Sequence, residues 1–387
     1  MTMKLLCLCS ALDLQLRLGC TPAYWQMLKG LYELGHDVIA VPYLGRAFEP
    51  PYWRAYPNPC DLEGRFFSAA KDFFGTGPTS TQEGGIAKVS GFLIENWIRP
   101  RWEGQIARIL EAEKDVDAVI VFSVPVNHWT GLPTRVRDRY SVPFFYFDGD
   151  VPASLPRFGG FASGFRIYED ADLSEYDGFM CNSQAGADDL LEMGARRVQT
   201  VHWGVDPDLY APLDVEQDRD VFFYGLGTEY REVWIEYMLT SPSRQLPEYS
   251  FAVGGRNFKT DLGKTKYVGD VPFNVFRHAC CRSRINLSIT RQAHGTVYAS
   301  STSRPFELAA MACCVVSARY DGLEEWFEMD KEMIKVSSAD EAVEVYKRLL
   351  TDEGQRRAMG QAARERVLEE HTNRHRAADI IRFVTSV

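Results

Sequence analysis

The chain has 387 residues, which corresponds to two or three domains at about 150 residues each. Its 45% hydrophobic and 25% charged residues match the globular norm and exclude disorder over most of the length. With 43 Lys and Arg against 53 Asp and Glu, the net charge is −10; this argues against a general nucleic-acid binder, which needs a basic footprint, but leaves room for one local cationic pocket.

Lys4 to Ser10 is a short apolar run suited to a buried strand. It reads as a first strand and not as a signal peptide, because Asp13 interrupts the apolar stretch before any cleavage site. A loop holding Gly19 follows, then a helix-period stretch from Tyr24 to Leu34, the stop at Gly35 and the strand Val38–Tyr43. Strand, helix, glycine and strand make one βαβ unit and predict a parallel sheet. Residues 45–81 are rich in Pro, Gly and aromatics and read as a surface excursion lining an acceptor side. A helix over about Phe92–Leu110 and strands at Asp117–Phe122, Phe144–Phe147 and Gly178–Cys181 complete a doubly wound domain that ends near Val205.

The second half restarts the pattern. Strands are expected at Asp220–Gly225, Tyr249–Gly255, Ile285–Ile289 and Cys314–Ser317, with a helix over about Glu229–Leu239 and a charged helical tract from Ala339 to Val384. The fold class is therefore α/β, with two Rossmann-like domains facing across a cleft, residues 1–205 and 206–371. Open sheets of this kind bind ligands at the carboxyl ends of their strands. No run approaches the roughly 20 apolar residues of a membrane span. The cysteines show no zinc-knuckle spacing and, set in apolar runs, read as reduced thiols in a cytoplasmic protein. Neither a metal nor a prosthetic group is expected.

The most informative stretch is Tyr298–Phe327, where a Ser/Thr-rich loop runs into Ser303-Arg304-Pro305-Phe306-Glu307 and a set of helix formers. Pro305 suits a first helical turn, and free amides, hydroxyls and Arg304 would converge there as an anion site. Glu307 either meets a ribose diol, as acids do in dinucleotide sites, or merely favours the helix dipole.

In order along the chain, several segments resemble the C-terminal half of GT-B glycosyltransferases, in glycosyltransferase group 1 (GT4-like) and its CgeB-like branch. His202–Tyr210 looks like the interdomain linker, and Val221–Arg231 like the opening strand and phosphate-side loop. Tyr267-Val268-Gly269-Asp270-Val271 is similar to the loop beside the base, and Arg304–Glu307 with Met311-Ala312-Cys313 resembles the donor-binding helix. Gly322–Glu325 and the tract from Arg356 to Thr372 look like the closing helices. The resemblance implies a nucleotide-diphosphate-sugar co-substrate, with UDP-sugar foremost, and a metal-independent transfer that retains configuration. It also implies a last helix, residues 372–387, that crosses back to complete the N-domain. The acceptor it leaves open: saccharide, lipid, protein or small molecule. A sugar-nucleotide epimerase and an inactive nucleotide-sugar binder are the rival readings.

By that resemblance Glu307 holds the ribose, while Arg231 and Arg304 neutralise the diphosphate. Gly225, Gly227 and Thr228 let amides approach the phosphates, Gly269 and Val271 lie beside the base, and Gly254, at a strand end, is a further donor-binding candidate. Plainer readings stand next to these: Arg231 as a solvated helix residue, and Gly225-Leu226-Gly227 as a tight turn. The family's E-x7-E signature would put its first acid at Ala299, so one of two glutamates is missing. In the N-domain, Asp148 and Asp150 read as acceptor-side polar groups, as metal ligands or as a helix cap. His128 reads as a cleft base or hydrogen-bond donor or as a solvated loop residue. Gly19, in the first strand-to-helix loop, faces the cleft.

Overall fold

The computed structural model describes residues 2–12, 23–61, 92–162, 165–228 and 231–386. Gly19 and residues 62–81 of the aromatic excursion lie outside the described residues. In the N-terminal half, the strands are β1 (Lys4–Ala11), β2 (Asp37–Leu44), β3 (Arg54–Ala55), β4 (Ala118–Phe122) and β5 (Phe144–Asp148). A small hairpin, β6 (Phe161–Ala162) and β7 (Phe165–Arg166), stands apart, and β8 (Gly178–Cys181) and β9 (Val198–Thr200) complete the sheet. Its order is β3-β2-β1-β4-β5-β8-β9, and all its pairings are parallel. The segments AVIVF of β4 and FFYFD of β5 are buried at each residue, as a parallel sheet covered on both faces requires.

The second sheet holds β10 (Arg219–Leu226), β11 (Phe251–Arg256), β12 (Lys266–Tyr267), β13 (Ser283–Ser288), β14 (Val315–Ala318) and β15 (Ile334–Val336). Its order is β12-β11-β10-β13-β14-β15, again parallel. The edge strands β3, β9, β12 and β15 escape the sequence reading because runs of two or three residues carry no usable periodicity.

Helices α1 (Ala23–Glu33), α2 (Arg99–Glu113), α3 (Leu132–Tyr140) and α4 (Gly186–Glu192) flank the first sheet. Around the second lie α5 (Glu232–Ile235), α6 (Ser241–Gln245), α7 (Phe273–Cys281), α8 (Gln292–Thr296) and α9 (Ser303–Ala310). The charged helical tract expected from Ala339 to Val384 consists of three helices: α10 (Ala339–Thr351), α11 (Glu353–Glu370) and α12 (Asn373–Val384). Asp352, in extended conformation, ends α10 and caps α11 by accepting the Gln355 N–H. Thr372 and His375 form a capping box that starts α12. The break at Asp352 carried no signal in the charge composition, whereas the family resemblance already implied a separate last helix from about residue 372.

The last helix returns to the first sheet. Phe383 packs edge-on to Phe145 of β5 at 5.9 Å, and the Arg197 guanidinium lies 4.1 Å from its ring centre. Near the start of α12, the Asn373 amide donates to Gln26 Oε1 at 3.0 Å, and Gln26 also accepts the Asp206 N–H at 2.7 Å. Beside it Lys29 Nζ meets Asp206 Oδ2 at 2.6 Å. Burial would lower the Lys29 pKa, but Asp206 and Glu33 outweigh it and hold the ammonium above its ordinary value. A hollow of about 720 Å³ opens here between α1, residues 205–208 and α12.

Gly30 sits where α1 and α12 touch: a Cβ on it would lie 2.6 Å from the Asn373 carbonyl oxygen. Gly30→Ala must therefore push backbone away from backbone, and overpacking of this kind costs about 1–3 kcal/mol. A lowered urea midpoint is expected, with hydrogen exchange quickened in α1 and α12 together. Unchanged exchange in α12 would show that the crossing contributes no stability.

Candidate active site

Each sheet reverses its winding at one place, between β1 and β4 in the first and between β10 and β13 in the second. Ligands of open α/β sheets bind in the crevice at such switch points. The C-terminal crevice is edged by Gly225–Thr228 with Arg231 after β10, and by Ile289–His294 after β13. On the N-terminal side Ser123–His128 follow β4, and Asp148-Gly149-Asp150 follow β5.

The two sides meet. Arg291 pairs with Asp150 through both guanidinium nitrogens, with Nη1 3.2 Å from Oδ2 and Nη2 on Oδ1. His294, 1% exposed, places Nε2 3.7 Å from the same Oδ1. Its Nδ1 is buried without a hydrogen-bond partner among the described residues. Burial first, then the Arg291 and Arg231 charges, push the His294 pKa well below its ordinary value, so the ring is neutral. Arg231 bridges the two loops by donating to the carbonyls of Thr228 at 3.2 Å and Ile289 at 3.3 Å. It is half-buried, not a solvated helix residue.

Beside this charged group lies an aromatic wall. Tyr224 of β10 stands across from Gly254 of β11, and a Cβ on Gly254 would lie 2.7 Å from Val271, beside the Gly269 carbonyl. The Arg304 guanidinium covers Phe276 at 4.2 Å and Tyr224 at 5.3 Å. It faces Glu307 Oε2 at 3.4 Å, while the Tyr210 hydroxyl donates to Oε1 at 3.4 Å. The structure thus gathers Gly254, Gly269, Val271, Arg304 and Glu307, but Arg304 is stacked on rings and not grouped with Arg231. Gly227 is required by packing: its Cβ would lie 2.6 Å from Phe258 Cα. This favours the tight-turn reading of Gly225-Leu226-Gly227.

Some expectations are corrected. Glu307 is not solvent-facing but 1% exposed. Phe306 is core, with its ring against Trp326, Phe327 and His371, so its side chain cannot line a ligand site. Ser303 opens α9 and Pro305, in the same first turn, is buried. Asp148 is a structural knot: Oδ2 accepts from Ser154 at 2.5 Å and Tyr168 at 2.6 Å, and Oδ1 from the Asp150 N–H at 2.9 Å. It shapes the turn that presents Asp150. His128 hydrogen-bonds Tyr43 through Nδ1, and burial, then Arg99, pull its pKa down to about 4. So weak a base is a poor proton acceptor at neutral pH. Among the described residues no group of three or more His, Cys, Asp or Glu is placed to hold a metal ion, and no helix is long and apolar enough to cross a membrane.

Residues 231–382 match the model of a family described as glycosyl transferase-like. Solved structures align over the whole length. Sucrose-phosphate synthase from Thermosynechococcus elongatus is 13% identical over 99% of this chain and 98% of its own, with a TM-score of 0.65. Anabaena HepE, solved with UDP and glucose, is 11% identical over 100% of both chains, at 0.62. A mutant of T4 phage BGT, solved with UDP-glucose, is 10% identical over 100% of this chain and 99% of its own, at 0.57. No curated protein matches in sequence. Identities this low establish a shared fold and nothing beyond it, and the family model matches less than half of the chain. The chain has the GT-B fold, and its C-terminal part is similar to glycosyl transferase-like proteins.

Arg291 and His294 escaped the sequence reading. They lie in an aperiodic loop, and Arg291 finds its partner 141 residues away. The one available signal was position, just past a strand ending at the switch point.

The cleft and its base hold several histidines neutral. Besides His128 and His294, burial and then Arg376 lower His202 to about 4 and His371 to about 3. The unfolded chain binds these protons near the ordinary histidine pKa of about 6.5, so their contribution is complete above that pH and is lost as pH falls toward the folded values. Asp148 and Glu175, raised chiefly by burial, act in the opposite sense. Four imidazoles against two carboxyls leave a net loss, at up to about 1.4 kcal/mol per pH unit for each proton taken up. Urea midpoints measured from pH 7 to pH 5, above most carboxylate titration, are expected to fall steadily. A flat profile would show these imidazoles to be solvated.

Proposed function

We propose that this protein is a glycosyltransferase, moving a sugar from a nucleoside-diphosphate sugar, a UDP-sugar foremost, to a hydroxyl acceptor, without a metal ion and with retention of configuration. Residues 206–371 hold the donor; residues 1–205, completed by 372–387, hold the acceptor. The observation that carries this reading is the convergence of Arg231, Arg291 and His294 at the β10–β13 switch point, beside the wall formed by Tyr224, Gly254, Val271 and Arg304. As the bond from the anomeric carbon to the diphosphate breaks, negative charge builds on the leaving group, and fixed cations there stabilise the transition state. The acceptor hydroxyl oxygen bonds to the anomeric carbon and its proton departs with the phosphate. HepE, of the same fold, is solved with UDP-glucose, which supports the donor class. Retention rests on the family resemblance alone.

The test is release of nucleoside diphosphate from UDP-, GDP- and dTDP-sugars, with and without acceptor mixtures. Turnover is expected to survive EDTA; loss on chelation with recovery on adding Mn²⁺ would overturn metal independence. Binding of UDP with no release from any donor would favour the inactive binder.

Glu307 is assigned to the ribose diol. Tyr210 and Arg304 face its two carboxylate oxygens at 3.4 Å each, beside the Tyr224 and Gly254 wall, and the family resemblance supports the assignment. Glu307→Gln keeps the side chain's volume in the buried site and removes its charge. Hydrogen bonds to a charged group contribute about 1.5–3 kcal/mol, so calorimetry is expected to show UDP affinity reduced about tenfold or more. 2′-Deoxy-UDP should bind wild type weakly and lose little further on the variant. Equal UDP affinity in the two proteins would move the ribose elsewhere.

A further inference from the structure

Asp150 is the residue that the donor reading leaves unexplained. Its carboxylate lies against both Arg291 and His294, it comes from the opposite half of the molecule, and it engages Arg291 through two nitrogens. A carboxylate held this way presents to the guanidinium fork a pair of acceptor oxygens, as a phosphate also does. Asp148 fixes its backbone by accepting the Asp150 N–H, and Gly149 beside it carries the Trp203 indole N–H on its carbonyl at 2.9 Å. The Asp150 side chain is thus presented to the C-terminal crevice by a rigid turn. His294, itself buried, holds Nε2 3.7 Å from Asp150 Oδ1, within reach of a group that takes the carboxylate's place.

We propose that Asp150 acts as an internal substitute for the donor's diphosphate: it occupies Arg291 while the crevice is empty, and the arriving diphosphate takes its place on Arg291 with His294 alongside. Arg291 is then a donor-phosphate ligand, and Asp150 is a positioning residue that works through it. This rests on the donor reading above. Asp150 competes with the donor, so the apparent affinity is reduced by the fraction of molecules in which the pair is closed. The exchange also frees Asp150 at the mouth of the N-terminal half only once a donor is seated, which ties acceptor-side charge to donor occupancy.

The experiment measures binding of UDP and of uridine by calorimetry to wild type, Asp150→Asn and Arg291→Ala, each checked for an unchanged far-UV spectrum. Asp150→Asn is expected to bind UDP about threefold more tightly or better, with uridine, which has no phosphate, unchanged. Arg291→Ala is expected to lose about tenfold or more for UDP and nothing for uridine. A damaged fold would not tighten one ligand selectively. If Asp150→Asn misfolds, Asp150→Ser serves, since it also removes the charge. UDP affinity that is equal or weaker in the folded Asp150 variant overturns the substitution, even if turnover is lost, and leaves the donor reading intact. Failure of wild type to bind any of UDP, GDP or dTDP overturns the donor reading and this inference with it.

Discussion

The geometry of the cleft depends on a short antiparallel seam between the two halves. Past β8, Asn182–Ala185 run beside Tyr298–Ser301, the segment that leads into α9. Ser301 N–H donates to the Asn182 carbonyl at 2.8 Å, the Asn182 amide to the Ser301 carbonyl at 2.7 Å, and the N–H groups of Gln184 and Ala185 to the carbonyls of Ala299 and Tyr298. The Ser183 and Ser300 hydroxyls meet at 2.6 Å. Backbone pairing of this kind satisfies strand-end groups that burial would otherwise leave orphaned. It also fixes the register of one half against the other. Asp150 can face Arg291, and α9 can carry Arg304 and Glu307 toward Tyr210, because this seam sets the distance between the sheets.

A second connection lies at the base. Val205 and Thr372 pair in parallel, so the crossings out of and back into the first half run side by side, with Lys29 and Asp206 clamped beside them. Removing one partner of a buried ion pair leaves a charge without compensation, which costs about 3–5 kcal/mol. The crossings therefore move as a unit, and any opening of the cleft has to be taken up in the seam or around this clamp. The neutral His371 belongs to the same joint: its Nδ1 accepts from Arg376 at 2.5 Å, and its Nε2 faces the Trp326 carbonyl at 3.1 Å. One imidazole thus ties α12 to the second half.

Much of the fold was legible in the sequence because its signals are local. Continuous apolar runs such as AVIVF and FFYFD mark strands buried on both faces, and the glycines after the strands of the second half mark the returns. The site was legible only where it follows the chain: Val271, Arg304 and Glu307 were identified from segments that resemble a family, Gly254 from its place at a strand end, and the structure brings them together. Burial was not legible. Arg304-Pro305-Phe306-Glu307 reads as one ligand-facing turn, yet a helix distributes its side chains around its axis, so Phe306 enters the core and Glu307 lies beneath Arg304. Pairing between the halves was the least legible, since no spacing rule connects Asp150 to Arg291. The Asp148-Gly149-Asp150 motif illustrates both failures: its first acid is consumed by Ser154 and Tyr168, and its second has a partner on the far side of the cleft.

The missing acid at Ala299 has a physical counterpart in the seam. Ala299 is fully buried, holds a left-handed φ of 48°, receives the Gln184 N–H on its carbonyl, and donates its own N–H to Asp321 at 2.9 Å. Gly322 presses on it so closely that a Cβ there would lie 2.4 Å from the Ala299 nitrogen. A carboxylate at 299 would have to be desolvated inside this joint, at a cost of several kcal/mol unless paired. The chain has used the position to join its halves. Near the mouth of the seam, Asp150, Arg291 and His294 form one small polar group drawn from both halves.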